Sequence, residues 1–511
     1  MSLAPPRRVL GAAALALSVL ASPALGADLA APRMGDWGFD MSGRDPATPA
    51  PKDFFAHANG AYVDHLVIPA DRSSFGAFDS LRELSVDRMH AVLEAAAADP
   101  APTADRQRLA TLYRNFMDEK TISGLGARPL QPALQEIRAA RGAKDVARLM
   151  GRAASGFGGS VFSVFISDDA RNPQAYAVYL SQSGLNLPDR DYYLEPRFER
   201  QRTEYRAYAE RMLTLAGWPE PARSADAILA FETRIAKASW TSAQRRDRDK
   251  TYNPTDPSGL ARTADGFPWA EYLKGAGLGG VKRVVVREQG AVPEIARIFA
   301  DTPLDTLKAY LAFSLTDEAA PYLSPAFDEA HFAFRGKVLT GQPQQQPRWK
   351  RAVSLVDDQL GEALGRDYVA AYFPPESKAL MEGLVGDIKS AMRGRIETVS
   401  WMGPETRARA LEKLSKFSVM IGYPDAWRDY TGLELKPGDL FGDVRRSRAW
   451  DWNRRVARLD KPVDRKEWGM TPATVNAYYS STRNLIVFPA AILQPPFFDP
   501  KGDMAVNYGA I

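Results

Sequence analysis

Histidine, cysteine and acidic side chains most often hold catalytic metals, and this sequence uses the first two sparingly. It has four histidines and no cysteine among 511 residues. The histidines are His57, His65, His90 and His331. A zinc peptidase needs two imidazoles on one helical face, a carboxylate as third ligand and a glutamate that activates the bound water. No histidine starts an H-E-x-x-H motif and no two are four residues apart, so this sequence cannot supply that set. Each histidine is interpreted as a surface or loop residue.

Other catalytic motifs are also missing from the sequence. There is no G-x-S-x-G nucleophile motif and no G-x-x-x-x-G-K-[ST] phosphate loop. Residues 275–280 fit G-x-G-x-x-G literally, but a helix-like segment precedes them and a strand-like segment follows, the reverse of the order in dinucleotide-binding folds. We therefore interpret these glycines as a loop. The lack of cysteine excludes disulfides, thiolate metal sites, a lipoprotein anchor and a cysteine nucleophile.

The composition is that of a globular protein, with 45% hydrophobic and 25% charged residues. A length of 511 residues exceeds one ordinary domain. The 66 basic and 62 acidic residues give a net charge of +4, which is spread along the chain without a long basic run. We therefore expect no nucleic acid partner.

The first residues have the pattern of a signal peptide. Arg7 and Arg8 form a positively charged start, residues 9–21 are apolar, and residues 24–26 are small enough for a cleavage site. A membrane anchor is the alternative, but the apolar run is shorter than the roughly 20 residues that a spanning helix needs. We predict a signal peptide over residues 1–26.

The predicted signal peptide implies that the mature protein is exported. An exported chain without disulfides fits a bacterial envelope, so we expect a periplasmic or extracellular location. We expect no stable membrane anchor after signal cleavage. Residues 27–52 are rich in alanine, proline, glycine and aspartate and are predicted to be a flexible leader.

The rest of the sequence predicts a mainly α fold. Apolar residues recur at helical spacing in residues 81–93, 109–116 and 381–399. We predict a large multi-helix domain over residues 53–423. It contains one small β-hairpin, whose strands at 161–166 and 175–180 are joined by a polar turn.

The composition changes near the C-terminal end. Residues 424–473 are rich in proline, glycine, tryptophan and aspartate and are predicted to connect two domains. Residues 474–511 contain a strand-like run at 484–488 and a proline–aromatic cluster at 494–498. We interpret this last segment as the opening of a second domain.

One long motif near the C-terminus identifies a family. The residues that carry it are 475–479 (V-N-A-Y-Y) and 486–499 (I-V-F-P-A-A-I-L-Q-P-P-F-F-D). This ordered run resembles the neprilysin and endothelin-converting-enzyme family of zinc endopeptidases. Further segments fit the same family pattern: 183–193, 238–241, 250–253 and 421–425. The resemblance covers the chain from about Asp53 to Ile511. It implies a helical lid domain over 53–423 and, over 474–511, the truncated start of a thermolysin-like α+β catalytic domain with its edge strand.

The resemblance also implies substrate-binding residues. In this family an Asn-Ala pair on an edge strand holds the peptide backbone, which here corresponds to Asn476 and Ala477. An extended peptide can add to a sheet edge, and an asparagine offers one peptide unit both a donor and an acceptor. The family's pocket for the substrate side chain after the scissile bond corresponds to Phe78, Ile492 and Phe497. The alternatives are an asparagine that closes a turn and ordinary core packing.

Arg82 corresponds to a family arginine associated with the free carboxylate of short substrates. A guanidinium suits a carboxylate because it donates two parallel hydrogen bonds. A second arginine of neprilysin corresponds to Ser74 here, so the preference between internal cleavage and release of C-terminal dipeptides stays open. Arg82 as an ordinary surface helix residue is the alternative.

The zinc-binding residues of the family lie beyond the position that corresponds to Ile511. The resemblance implies a zinc metalloendopeptidase that cuts small peptides on the amino side of hydrophobic residues. It also implies that residues 1–511 alone are an inactive fragment, whose partner is the missing C-terminal catalytic half. An exported, non-catalytic peptide-binding or regulatory protein built on the lid domain and a non-functional truncation are the alternatives. Because residues 486–498 would pack against the missing half, we expect an exposed apolar patch and poor solubility.

Overall fold

The computed structural model describes residues 29–35 and 38–511. The signal peptide predicted for residues 1–26 lies outside the described part of the chain, as do residues 27, 28, 36 and 37 of the predicted leader. Within the described ranges, no helix combines the length and the apolar character needed to cross a membrane.

Helices dominate the described residues, as the mainly α prediction requires. The α-helices are α1 Phe54–His65, α2 Ala77–Ala98, α3 Ala104–Met117, α4 Glu119–Leu125, α5 Gln131–Ala139, α6 Ala143–Arg152, α7 Asp191–Leu194, α8 Glu199–Leu215, α9 Pro221–Ala238, α10 Pro257–Thr263, α11 Trp269–Gly275, α12 Ala291–Ala300, α13 Leu304–Ala319, α14 Pro325–His331, α15 Arg348–Tyr372, α16 Pro375–Thr398, α17 Pro404–Ser415, α18 Leu440–Val456 and α19 Met504–Ala510. A π-helical turn, Phe332–Val338, continues α14.

The three predicted helical stripes are confirmed as α2, α3 and α16. In α2 and α3 most of the apolar face is buried, although Phe78 at the start of α2 and Met117 at the end of α3 are 43% and 37% exposed. In α16, Met381, Leu384 and Val385 are buried, whereas Ile388 and Met392 remain 45% and 50% exposed. The apolar face of α16 is therefore used for packing only in its first half.

The predicted hairpin is present, and its strands are longer than the sequence indicates. Strand β1 (Phe162–Asp169) pairs antiparallel with β2 (Asn172–Gln182). The polar residues predicted to form a long turn belong largely to the strands, because Asp169 Oδ1 accepts hydrogen bonds from the backbone N–H groups of Arg171 (2.9 Å) and Asn172 (3.3 Å). Two short strands, β3 (Asn253–Thr255) and β4 (Val284–Val286), complete a sheet of order β1-β2-β4-β3.

A second sheet contains the predicted edge strand. Its strands are β5 (Ser418–Gly422), β6 (Tyr478–Ser480) and β7 (Leu485–Pro489), in the order β5-β7-β6. Strand β7 runs parallel to β5 and antiparallel to β6. Strand β6 thus pairs on one side only, among the strands that the structure describes.

Two hydrophobic cores divide the molecule into lobes. The first lobe has its core between residues 130 and 334, with a contribution from α18. The second lobe joins residues 81–122 to residues 352–498. Side chains of α18 enter both cores, since Val444 belongs to the second and Trp452 to the first.

The expected apolar patch at residues 486–498 is not found, and this prediction was wrong. Val487, Phe488, Ile492 and Phe498 are buried inside the second lobe, because β7 is the central strand of its sheet and the following turn packs under α2. Large exposed apolar side chains lie elsewhere: Phe54, Phe55, Val67, Ile388, Met392 and Trp401. Poor solubility stays a prediction, and these surfaces are now its basis.

An ion pair joins the two lobes. Arg483, in the β6–β7 turn, donates from Nε and Nη2 to the Asp168 carboxylate of β1 at 2.7 and 2.9 Å. Thr482 adds a hydrogen bond to the same carboxylate at 3.1 Å. The Asp168 and Arg483 side chains are only 6% and 14% exposed. A buried, doubly hydrogen-bonded pair of this kind is expensive to break, because the remaining charge stays unpaired.

We predict that Asp168→Asn lowers the free energy of unfolding by about 1.5 to 3 kcal/mol, the usual contribution of a hydrogen bond to a charged partner. Denaturant-induced unfolding followed by circular dichroism measures the change. Asp425→Asn is the matched control, because Asp425 pairs with Lys466 while 70% exposed and such surface pairs contribute little. Equal stability of the two variants would contradict a role for the buried pair.

Candidate substrate-binding site

Asn476 and Ala477 immediately precede the edge strand β6. Asn476 is exposed, and its Oδ1 accepts a hydrogen bond from the Ala477 N–H at 2.9 Å. The side-chain oxygen of Asn476, the acceptor predicted to hold the substrate backbone, is therefore already hydrogen-bonded within the chain. The Nδ2 group of Asn476 has no protein partner within the described residues and is the atom available to a ligand.

Arg82 lines the same cavity as Asn476, although the two residues come from opposite ends of the chain. This cavity, called the small cavity, has a volume of about 330 Å³ and lies between α2, α15 and residues 473–476. The Arg82 side chain is 48% exposed and donates to Asp79 Oδ1 at 3.1 Å. Its guanidinium also lies over the Phe78 ring, 5.7 Å from the centroid.

Phe78 and Phe497 form an aromatic pair beside the small cavity. Their ring centroids are 4.4 Å apart at an interplanar angle of 42°. Phe78 is 43% exposed, and Phe497 is partly buried. Ile492 differs, because it is 3% exposed and its side chain packs in the core of the second lobe. The structure thus brings Phe78, Phe497 and Arg82 together, and a pocket role for Ile492 stays a prediction.

Two further cations of the small cavity were not found from the sequence. Arg72 forms an ion pair with Glu83 and lies 4.0 Å from Asp79. Lys350 pairs with the same Glu83 carboxylate. Arg72 lies two residues before Ser74, the position of the second neprilysin arginine, and a search for a basic residue on either side of Ser74 would have identified it.

A larger cavity separates the lobes. It has a volume of about 510 Å³ and is lined by β1, α15, α18, residues 467–474 and Arg483. Each arginine of its wall has an acidic partner. The pairs are Arg428–Glu362, Arg454–Glu467, Arg455–Asp451, Arg458–Glu467 and Arg483–Asp168.

Asp357 and Asp358 of α15 line both cavities. Helix α15 is kinked just after them, at Leu360, where φ is −130° and ψ is 26°. Asp357 Oδ2 accepts a long hydrogen bond of 3.3 Å from Thr471 Oγ1, and Oδ1 is excluded from water without a partner. Burial raises the pKa of Asp357 to about 7. Asp358 is exposed to water, and partial desolvation raises its pKa as well.

We predict that Asp357→Asn stabilises the protein more at pH 8 than at pH 5. A carboxyl with a raised folded-state pKa binds its proton more tightly in the folded protein, so stability falls as pH rises from the ordinary value to about 7. Asparagine does not titrate and avoids this loss. The gain grows by at most about 3 kcal/mol between pH 5 and pH 8, since one pKa unit corresponds to about 1.4 kcal/mol. Denaturant unfolding at both pH values measures it, with exposed Asp425→Asn as control; a pH-independent difference would contradict the assignment.

The histidines do not form a metal site. Within residues 29–35 and 38–511, no group of three or more histidine, aspartate or glutamate side chains is placed to hold a metal ion. All four histidines lie in helices α1, α2 and α14 and not in loops; His65 is exposed at the surface, as predicted, and the other three are partly buried. His90, for example, stacks on Trp349 at 4.4 Å and hydrogen-bonds Tyr113. The described residues therefore do not fit a zinc ion by themselves.

Comparison with protein families places nearly the whole described chain in one family. Residues 51–424 match the model of the N-terminal part of peptidase family M13, and residues 476–511 match the second model of that family.

Curated relatives agree with these matches. Endothelin-converting enzyme 1 of Mus musculus is 30% identical over 498 residues, covering 92% of this chain and 64% of the relative. Neprilysin-3 of Drosophila melanogaster is 28% identical, covering 90% of this chain and 62% of the relative. The chain therefore spans slightly less than two thirds of the length of these relatives.

Solved structures show the same fold. The zinc metalloprotease ZMP1 of Mycobacterium tuberculosis in complex with an inhibitor is 38% identical and superimposes with a TM-score of 0.89, covering 93% of this chain and 73% of that chain. The same protease in its open state gives a TM-score of 0.78. These matches confirm the resemblance to the neprilysin and endothelin-converting-enzyme family, and the chain belongs to peptidase family M13.

Proposed function

We propose that this chain forms the peptide-binding part of an exported zinc-dependent endopeptidase that cuts small peptides on the amino side of hydrophobic residues. One observation carries the proposal: Asn476, at the start of a free sheet edge, and Arg82 line one cavity, beside the aromatic pair of Phe78 and Phe497. Membership of family M13 supports the reaction class.

The edge of β6 provides the backbone contact. An extended peptide adds to such an edge through main-chain hydrogen bonds, which hold any sequence. Asn476 extends this edge, and its Nδ2 group donates to a substrate carbonyl. Ala477 has no large side chain that would hinder the approach of the peptide.

Side-chain preference comes from the aromatic pair and the arginine. Burial of one large apolar side chain contributes roughly 1.5 to 3 kcal/mol, enough to favour hydrophobic residues against Phe78 and Phe497. Arg82 receives a substrate carboxylate in competition with its neighbour Asp79, 3.1 Å away. Cavities of about 330 and 510 Å³ suit short peptide segments.

Zinc would polarise the scissile carbonyl and lower the pKa of a bound water. Its ligands would come from a polypeptide segment other than the residues described here, either in a longer chain or in a partner. Ile492 would support the apolar pocket from beneath.

We predict that Asn476→Ala weakens peptide binding by about 2- to 10-fold, the loss of one neutral hydrogen bond. Fluorescence anisotropy with a labelled, N-acetylated pentapeptide that contains one phenylalanine measures the affinity in the presence of EDTA. Asn59→Ala in α1 is the matched control, because Asn59 does not line the small cavity and its side chain donates a hydrogen bond within its own helix.

A companion variant tests the side-chain pocket with the same assay. Phe78→Ala should reduce affinity for the phenylalanine peptide more than for a peptide with glycine at that position. If Asn476→Ala and Phe78→Ala both bind like the wild type, the peptide-binding function proposed for this cavity is wrong.

We predict that residues 27–511 alone show no zinc-dependent peptide hydrolysis, because they lack a complete ligand set. Purified protein is incubated with zinc and a quenched fluorescent peptide, with and without chelator. Chelator-sensitive cleavage would refute the prediction. The intact mass of the native protein then separates two cases: a mass well above 56.2 kDa supports a whole endopeptidase, and a mass matching the short chain supports peptide binding without catalysis.

A further inference from the structure

We propose that Asp357 and Asp358 form a subsite that selects a positively charged group of the bound peptide, an ammonium or a guanidinium. The inference rests on the proposed peptide-binding function and adds a substrate class to it. The protein would prefer peptides in which a lysine, an arginine or a free amino terminus reaches the aspartates while a hydrophobic residue of the same peptide contacts Phe78 and Phe497.

The two aspartates lie where the two cavities adjoin. Both line the small cavity, which also contains Asn476 and Arg82, and both line the large cavity between the lobes. A peptide held along the β6 edge at Asn476 therefore passes α15 wherever it continues into the large cavity. Its side chains meet Asp357 and Asp358 at the point where the cavities adjoin.

The charges of the cavity walls leave Asp357 and Asp358 without an ion-pair partner. In the large cavity the five arginines are paired with four acidic residues, because Arg454 and Arg458 share Glu467. In the small cavity Arg72 and Lys350 share Glu83, and Arg82 pairs with Asp79. Among the described residues, no cation lies within ion-pair distance of Asp357 or Asp358, and Arg448 acts on Asp358 only from a longer distance. A cationic guest would therefore give these two carboxylates a direct partner.

The Asp357 carboxylate is weakly hydrogen-bonded. Its Oδ1 is a buried acceptor without a donor, and its Oδ2 has only the 3.3 Å contact with Thr471. A buried acceptor that lacks a donor is costly. Because Oδ1 has no surface exposed to water, a cationic guest would bind through Oδ2 or after the carboxylate turns. The burial that raises the pKa of both carboxyls also means that a bound cation would interact with them more strongly than in water.

The local backbone keeps the pair in the cavity wall. The kink at Leu360 interrupts α15 directly after the two aspartates. Gly361 follows, and a side chain there would collide with Thr471. The glycine thus lets Thr471 approach Asp357, and this contact holds Asp357 toward the junction of the cavities.

The test uses the complete chain and matched peptides at pH 8 and low salt. Each N-acetylated pentapeptide keeps one phenylalanine and places either lysine or its uncharged analogue norleucine at each other position in turn. A non-acetylated norleucine peptide provides the free amino terminus. Affinities are measured by isothermal titration calorimetry for the wild type, Asp357→Asn, Asp358→Asn and the double variant.

We expect one lysine position, or the free amino terminus, to bind the wild type at least 10-fold more tightly than the uncharged peptide. The double variant should reduce this preference, measured as the ratio of the lysine-peptide to the norleucine-peptide affinity of the same variant, to less than 2-fold. Asp265→Asn removes an exposed carboxylate outside both cavities and should keep the full preference. Thermal unfolding of the variants confirms that they are folded.

Two results would overturn the subsite alone. One is equal affinity for charged and uncharged peptides in the wild type, with binding that still depends on Asn476. The other is a cation preference that persists in the double variant. Failure of every peptide to bind the wild type would overturn the proposed function and the subsite together.

Discussion

The second lobe depends on one long-range association, the packing of α2 against α15 and the C-terminal segment 473–498. Ser85 Oγ donates to the Ala473 carbonyl at 2.7 Å, and Arg88 hydrogen-bonds the buried side chain of Gln494. The residues of these contacts are separated by nearly the whole first lobe in sequence. The first lobe is therefore an insertion in the sequence of the second lobe, and the small cavity exists only where α2 meets the C-terminal segment.

This association explains the location of the candidate site. Arg82 and Phe78 come from α2, whereas Asn476 and Phe497 come from the C-terminal segment. Neither set forms a cavity alone. The same contacts that stabilise the core also fix the distance between the aromatic pair and the free edge of β6, so folding of the second lobe and assembly of the site are one event.

Local patterns predicted the elements, and they could not predict the association between them. Helical spacing located α2, α3 and α16, since periodicity is a property of neighbouring residues. The hairpin turn was predicted too long because the Asp169 side chain satisfies two backbone N–H groups that the sequence alone leaves unassigned. The burial of residues 486–498 was missed because the surface that covers them, α2, lies some 400 residues earlier. Asn476 and Arg82 were found through the family resemblance. Asp357 and Asp358 belong to no sequence motif, and their lack of an ion-pair partner can be recognised only from the structure.

Helix α18 contributes to both hydrophobic cores, with Phe441 and Trp452 in the first and Leu440 and Val444 in the second. Because one helix fills both cores, a substitution that loosens its packing would weaken both lobes at once. Arg454 and Arg455 of the same helix line the large cavity. The shape of that cavity therefore depends on the stability of both lobes, and a mutation far from its wall can change it.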